Sequence, residues 1–305
     1  MPSCSPSSPM RRTSLTRILS LIRRSRTLIR LHLVTYRLAF GIISARGCQV
    51  NASRVRSVNM STEPSWIQLG HPSYVWRFGQ DRRLGLIRQY APVEGKSILD
   101  VGCGIGAYVR EFRQFSDDVH GVDVDAERVE KASATLPNIL VAPSECLPYP
   151  DGRFDVVLLH EVIEHVQDDR RTIAEAARVL RPGGRVVIFA PNRHYFFETH
   201  GVYVGRKFVF GNIPGVGYLP DALRDRLAPH VRAYTHDGIE RLCAGLPLSI
   251  VAHRCIYPGF DNFAARNRLV GRVLRTVFYA AEATPLAQLG LSHLLVAERV
   301  RSKEQ

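Results

Sequence analysis

The sequence predicts a doubly wound α/β fold with a mostly parallel sheet, and three observations carry that prediction. First, Ile98, Leu99 and Val101 form a short apolar run suited to a strand buried on both faces, and Gly102, Gly104 and Gly106 follow it at once. Second, Ala107, Tyr108, Val109 and Phe112 return at helical spacing, so a helix begins where the glycines let backbone approach a ligand. Third, apolar runs and 3.6-residue periodicity go on alternating as far as residue 190, the pattern of stacked strand-helix-strand units.

Taken in order, residues 60–96 read as an N-terminal cap. Trp66, Tyr74, Trp76 and Phe78 precede a helix over 81–90 and cover a sheet edge. The glycine-turn strand comes next. Val119, Gly121 and Val122 then form a second strand ending on Asp123, and Asp125 is placed to cap a helix running to about Leu136, with Val129, Ala132 and Leu136 inward. A short third strand lies near 139–141. Phe154 to His160 is the fourth, ending in His160-Glu161.

Asp168 or Asp169 caps the following helix, in which Ile173, Ala176, Ala177 and Leu180 fall at i, i+3, i+4 and i+7. Arg181-Pro182-Gly183-Gly184 ends it by breaker chemistry, and Val186 to Ala190 is the fifth strand. From 191 to 234 the alternation lapses into a Gly/Pro-rich insert crowded with aromatic residues, which predicts a lid on the substrate side. His194, Tyr195, Glu198, His200 and Tyr203 are its chemically capable side chains.

Thr235 caps a helix to about Gly245, and Leu248 to Ile256 is a sixth strand. Arg266 to Ala283 is a basic amphipathic helix. Its apolar face is expected to pack on the sheet with its arginines solvated, weak contact with a membrane surface being the alternative. Leu294 to Val300 is the last strand.

What the cradle holds is indicated by Asp100. Gly102, Gly104 and Ala107 satisfy GxGxx(G/A), yet a carboxylate at the strand end repels an incoming pyrophosphate, which disfavours a nicotinamide oxidoreductase. Asp100 suits a ligand with an ammonium group and no phosphate, such as S-adenosyl-L-methionine (SAM). Asp123, with Val124 beside it, lies 19 residues past Gly104, where a carboxylate accepts from ribose hydroxyls.

The stretches DVGCGIG, GVDVD, PSECLPYPDGRFDVVLLHEVIEHV and ARVLRPGGRVVIFAPN together resemble the class I SAM-dependent methyltransferases of the type 11 branch, over about residues 98–192. The resemblance implies a Rossmann-like seven-stranded sheet whose last strand is antiparallel and inserts between the fifth and sixth. It implies that Asp100, Gly102, Cys103, Gly104 and Gly106 hold the methionine end and that Asp123 and Val124 flank the ribose. The family's adenine carboxylate position is Pro143 here, so adenine would rest on Ser144, Glu145 and packing.

Methyl transfer is an in-line displacement at an activated carbon, so the protein's work is alignment and removal of a proton. His160 and Glu161, at the end of the fourth strand, are the candidate bases. HEVIEH is not a zinc-protease motif, because His160 and His165 are five apart where HExxH needs four. Glu161, Glu164 and His165 match an ExxEH pattern that binds a divalent ion in some quinone and RNA methyltransferases, but many relatives carry similar residues as plain helix, and no metal is expected.

Charge excludes a further class. The net +13 suggests a nucleic-acid binder, but residues 1–59 hold eleven arginines and no Asp, Glu or Lys; of 41 basic residues, thirty remain against 28 acidic ones, a net of +2. Direct nucleic-acid binding by such a body is disfavoured. The Arg/Ser-rich leader reads as disordered or non-native sequence preceding Met60, with an organelle transit peptide or a surface-seeking segment as alternatives. Six cysteines without CxxC spacing suggest neither zinc nor a disulfide framework, hence a reducing, cytoplasmic setting. The expected function is methyl transfer from SAM to a small-molecule, lipid or sugar-type acceptor, a catalytically silent member of the fold being the alternative. Oligomeric state is not legible.

Overall fold

The computed structural model describes residues 76–301. The expected leader, residues 1–59, and Trp66 and Tyr74 of the cap lie outside the described residues.

Strand β1 (Ile98–Val101) is buried at all four positions because it runs between two parallel neighbours, β2 (Val119–Asp123) and β4 (Phe154–His160). Burial on both faces is why its sequence is an unbroken apolar run around Asp100. β3 (Ile139–Val141) extends the sheet from β2, and β5 (Leu180–Pro191) extends it from β4, again in parallel. The last strand, which we number β11 (Ser292–Arg299), inserts antiparallel between β5 and β10 (Leu248–Ile256). The order β3-β2-β1-β4-β5-β11-β10 is the expected seven-stranded Rossmann-like sheet.

Helix α1 (Phe78–Tyr90) turns Leu84 and Ile87 into the core. α2 (Ala107–Phe112) follows the glycine turn, and α3 (Ala126–Ser133) is capped by Asp125, which accepts from the Glu127 and Arg128 amides. α4 (Asp169–Val179) is capped by Asp168, not Asp169, and buries Ile173, Ala176 and Ala177 as its periodicity requires.

Three boundaries differ from expectation. β5 begins at Leu180, which pairs with Phe154 before the ladder skips to Arg185 opposite Val156, so Arg181–Gly184 is a bulge within the strand and not a loop before it. The helix capped by Thr235, α6 (His236–Arg241), stops short of Gly245. The basic helix is two helices, α7 (Asp261–Arg266) and α8 (Arg268–Ala281), with Asn267 capping the second through the Leu269 and Val270 amides.

The expected packing of α8 on the sheet is overturned. Leu269, Val273 and Val277 are 66%, 52% and 58% exposed. The helix leans inward instead on Gly271, which lies so close to α7 that an added Cβ would sit 2.4 Å from that of Ala264, and on Phe278, whose ring meets Tyr257 and Phe260. Small and aromatic residues make that contact, and the aliphatic stripe is left facing outward.

The 191–234 insert is more ordered than its composition implies. β6 (Phe197–Glu198) pairs with β9 (Ile213–Pro214), β7 (Val202–Val204) pairs with β8 (Lys207–Val209), and α5 (Asp221–Leu227) follows. Its neck is closed where the Tyr234 amide donates to the Pro191 carbonyl and the Arg193 amide to that of Tyr234. Buried Asn192 donates to the Gln288 and Gly290 carbonyls, tying the neck to the turn before β11.

Candidate active site

At the carboxyl edge of β1 the chain turns through Gly102, Gly104 and Gly106, all at positive φ. A Cβ on Gly102 would stand 2.4 Å from Val162 Cγ2 and one on Gly106 2.4 Å from Leu136 Cδ1, so only glycine fits at either place. The Gly102 and Cys103 amides donate to the Val122 carbonyl, which locks the turn to β2. Cys103 is buried, and burial pushes its thiol up, so it is an inert wall of the cradle.

The two acids predicted from spacing converge here. Asp123 accepts from the Gly104 amide at 2.8 Å through one oxygen and from the Asp125 amide at 2.9 Å through the other. Asp100 is buried, and no donor among the described residues reaches its carboxylate. Burial first, and the charge of Asp123 second, raise its pKa well above the ordinary carboxylate range. A cationic ligand would reverse both terms, so the chemistry of this cradle fits an ammonium-bearing molecule such as SAM. Val124, next along, is exposed at the same edge.

The Ser144-Glu145 loop departs from expectation at its side chains. Ser144 Oγ is 3.0 Å from Thr172 Oγ1, and the Glu145 carboxylate accepts from the Gln167 amide at 3.0 Å. Their side chains hold the loop to α4 and its approach, so the edge they can offer a base is backbone.

At the end of β4, His160 and Glu161 both meet Arg83, which α1 projects across 77 residues of sequence. Arg83 Nη1 lies 2.7 Å from His160 Nε2 and 2.8 Å from Glu161 Oε1. Since Arg83 can only donate, it occupies the His160 lone pair. Burial, and secondarily this cation, depress His160 to about 3. His160 is therefore not the base expected of it: it is a neutral ring packed between Tyr108 and Phe189, at centroid distances of 4.7 and 5.3 Å. Glu161 behaves oppositely. Burial would raise it, but the Arg83 guanidinium outweighs burial and holds it down to about 2. Ser292 Oγ also donates to it, at 3.0 Å.

Residues 161–167 are not helix, in keeping with a helix that starts only at the Asp168 cap. Glu161 adopts a left-handed φ of 55°, and the chain runs in turns to the Asp168 cap. That turn carries Glu164 inward, where it is buried with neither carboxylate oxygen hydrogen-bonded. Burial and the neighbouring charge of Glu161 push its pKa well up. His165 from the same turn and His200 from the insert come to it, and one ligand atom from each of Glu164, His165 and His200 lies within 4.8 Å of the others. An unpartnered buried carboxylate beside two imidazoles fits a divalent cation better than empty packing.

His200 is held by Glu198, whose Oε1 is 3.1 Å from His200 Nδ1. Glu198 is in turn met by buried Arg224 of α5 at 3.4 Å. Of the other candidates in the insert, Tyr203 packs on Phe208 across the β7/β8 hairpin and on His230, whose Nε2 lies 3.2 Å from the His200 carbonyl. Sequence reasoning singled out His160, Glu161, Glu164, His165 and His200 but missed Arg83 and Arg224, because no local pattern reports a partner so distant in the chain.

Among the described residues Cys103, Cys243 and Cys255 are free thiols. No described helix is long and apolar enough to cross a membrane.

Residues 99–188 match the family model described as a methyltransferase domain. The chain is 30% identical over 138 residues to the ubiquinone biosynthesis O-methyltransferase of Coxiella burnetii, an alignment covering 43% of this chain and 58% of that protein. It is 36% identical over 104 residues to a probable S-adenosylmethionine-dependent methyltransferase of Mycolicibacterium smegmatis, covering 33% and 40%. The chain thus spans between two-fifths and three-fifths of the length of these curated relatives. Among solved structures it resembles an S-adenosylmethionine-dependent methyltransferase from Mesorhizobium loti, with a TM-score of 0.51 and 20% identity over 70% of this chain and 96% of that one, a likeness of fold. Matched motifs, strand order and the inserted antiparallel strand agree: residues 99–188 match a methyltransferase domain, and the sheet around them has the order of the class I SAM-dependent methyltransferase fold.

Proposed function

We propose that this chain transfers a methyl group from SAM to a hydroxyl of a small-molecule, lipid or sugar-type acceptor. The observation that carries this reading is the pairing of two acids, Asp100 and Asp123, around a glycine turn, with the carboxylates of half-buried Glu161 and buried Glu164 just past the end of the neighbouring strand β4. Bound there, SAM supplies a methyl carbon already activated by its sulfonium. Asp100 would meet the ammonium group, Asp123 and Val124 the ribose, and the Ser144-Glu145 backbone the adenine. Gly102, Cys103, Gly104 and Gly106 form the floor.

Acceptor chemistry falls to the Glu161 side. With no cation bound, Arg83 holds Glu161 ionised and Glu164 carries the proton of the pair, so Glu161 is the ionised carboxylate of the two and His160 the packing surface, and a cation on Glu164 would displace its proton. Glu164, His165 and His200 would hold a divalent cation, which would lower the pKa of an acceptor hydroxyl. The name of the Coxiella burnetii relative, an O-methyltransferase, supports an oxygen acceptor. The insert that supplies His200 would also select the acceptor.

The test is calorimetric titration of the full chain with S-adenosylhomocysteine, alongside Asp123→Ala and with NAD as a control, followed by methyl transfer to a catechol with and without chelator. Micromolar binding weakened at least about tenfold in the variant, with no NAD binding, is expected. Methylation should fall on chelation and return with Mn2+. A folded chain that does not bind S-adenosylhomocysteine overturns the reading, and chelator-insensitive turnover overturns its metal part.

A further inference from the structure

The outward stripe of α8 is the feature that the proposed chemistry does not use. Leu269, Val273 and Val277 fall at i, i+4 and i+8 and stand more than half exposed, and Leu286 and Leu289 of the adjoining 3-10 turn (Pro285–Leu289) add to the same region of surface at 56% and 44%. Scattered exposed aliphatics are ordinary, but a row of them along one helix is not.

The flank of the stripe is cationic. Arg268 and Arg272 succeed each other one turn apart, and neither makes an ion pair among the described residues. Residues 268–281 hold no Asp or Glu, and the nearest acids are engaged: Asp261 by Arg275 at 3.2 Å, Glu282 by Arg82 and by Arg254. Below the flank lies an open hollow of about 930 Å³, lined by Arg77, Arg268, Arg272 and Arg275 and by one acid, Asp261, which Arg275 answers, so the arginines outnumber the acid there four to one. Its size and donors suit phosphate head groups.

We propose that α8 and the turn after it dock on an anionic membrane surface, with the aliphatic stripe entering the acyl boundary and the arginine flank and hollow receiving lipid phosphates. An apolar face bordered by arginines, on a helix too short to span, is the form of an interfacial element. A second copy of this chain is the poorer occupant, because a self-complementary contact brings the two arginine rows together with no acid to answer them.

The position of the helix gives the docking a purpose. β10 ends at Ile256 opposite Ser292, and Ser292 pairs with Pro191 at the end of β5, so α7, α8 and the turn rise from the carboxyl edge that bears the cradle. A docked chain turns that edge toward the bilayer, where a lipid-type acceptor resides. This consequence rests on the proposed function, but the docking itself does not.

The experiment is co-sedimentation of the full chain with vesicles of phosphatidylglycerol and phosphatidylcholine, against phosphatidylcholine alone. The parent should prefer the anionic vesicles by at least about tenfold, the double variant Arg268→Glu/Arg272→Glu should lose about thirtyfold, and Val273→Asp about tenfold. All are surface changes, so thermal unfolding and S-adenosylhomocysteine affinity should stay at parent values. Val273→Trp should show a blue-shifted emission on anionic vesicles. Variants that bind as the parent does would place the attraction elsewhere, in the arginine-rich leader for instance, and overturn the proposal. So would a parent that ignores anionic vesicles, or one that is a dimer dissociated by Val273→Asp. Failure to bind S-adenosylhomocysteine with vesicle binding intact would strike the proposed function alone.

Discussion

Arg83 is the residue on which the candidate site's electrostatics turn. Its guanidinium keeps Glu161 ionised in a buried place and keeps His160 neutral, two opposite demands met by one cation on α1. Replacing it in Arg83→Gln leaves half-buried Glu161 without its cation and with Ser292 Oγ as donor, which should cost about 1–3 kcal/mol at neutral pH, measured by denaturant unfolding. The sign of the pH dependence follows from the depressed carboxyl: the stability it contributes is present above the unfolded value of about 4.5 and is lost as pH falls toward about 2. The gap between parent and variant should therefore narrow on acidification. The same residue shows the limit of local reading. Glu161 and His160 announce themselves by standing at a strand end, whereas Arg83 sits in a helix among other charged residues, and nothing within ten positions reveals what it reaches.

At the scale of elements, the strand-turn-helix unit from β1 to α2 was legible because each part has a local cause: unbroken apolar burial, then glycine, then helical spacing. Gly102→Ala should confirm the second cause. Its φ of 74° is unfavourable for any side chain, and the methyl would press on a β-branched Val162 that has little rotamer freedom to yield. Unfolding by urea should show a loss of about 2–3 kcal/mol, with weaker S-adenosylhomocysteine binding. α8 was misread for a related reason. Periodicity reveals that a helix has an apolar face but not which way that face points, and Gly271 and Phe278, which decide it, look like gaps and extras in the pattern. The bulge at Arg181–Gly184 escaped similarly: Pro-Gly-Gly is breaker chemistry anywhere, and only the partner strand makes it part of a ladder.

Across the whole molecule, the insert and the sheet are joined through a chain of buried polar groups. His293 of β11 donates to the Tyr234 carbonyl at the insert's neck, with Nε2 to oxygen at 2.8 Å, and its Nδ1 lies 3.1 Å from His253 Nε2 on β10. Burial, then crowding by other histidines, outweighs the Tyr234 carbonyl and depresses His293 to about 4. The unfolded chain takes up a proton near 6.5 that the folded chain refuses, so this residue's stability is complete above about 6.5 and is lost as pH falls toward 4. His293→Asn keeps a donor for the carbonyl and removes that proton. Its unfolding free energy should fall less steeply than the parent's between those limits, the slopes differing by up to about 1.4 kcal/mol per pH unit in urea titrations.

The sequence by itself determined the cradle and the alternation of strand and helix: Asp100, the three glycines and Asp123 follow from burial, backbone sterics and spacing, which act between near neighbours, whereas the order of the strands came only with the family resemblance. It also brought forward Glu161, Glu164, His165 and His200 as separate candidates. Only the tertiary structure decided what they form together. The left-handed turn at Glu161 carries Glu164 inward, the Arg224-Glu198 pair aims His200 at it, and Arg83 sets the charge of Glu161, through contacts between elements far apart in the chain. Such contacts leave no periodic trace in the residues that make them, because the distances that matter there are set by the fold and not by the spacing.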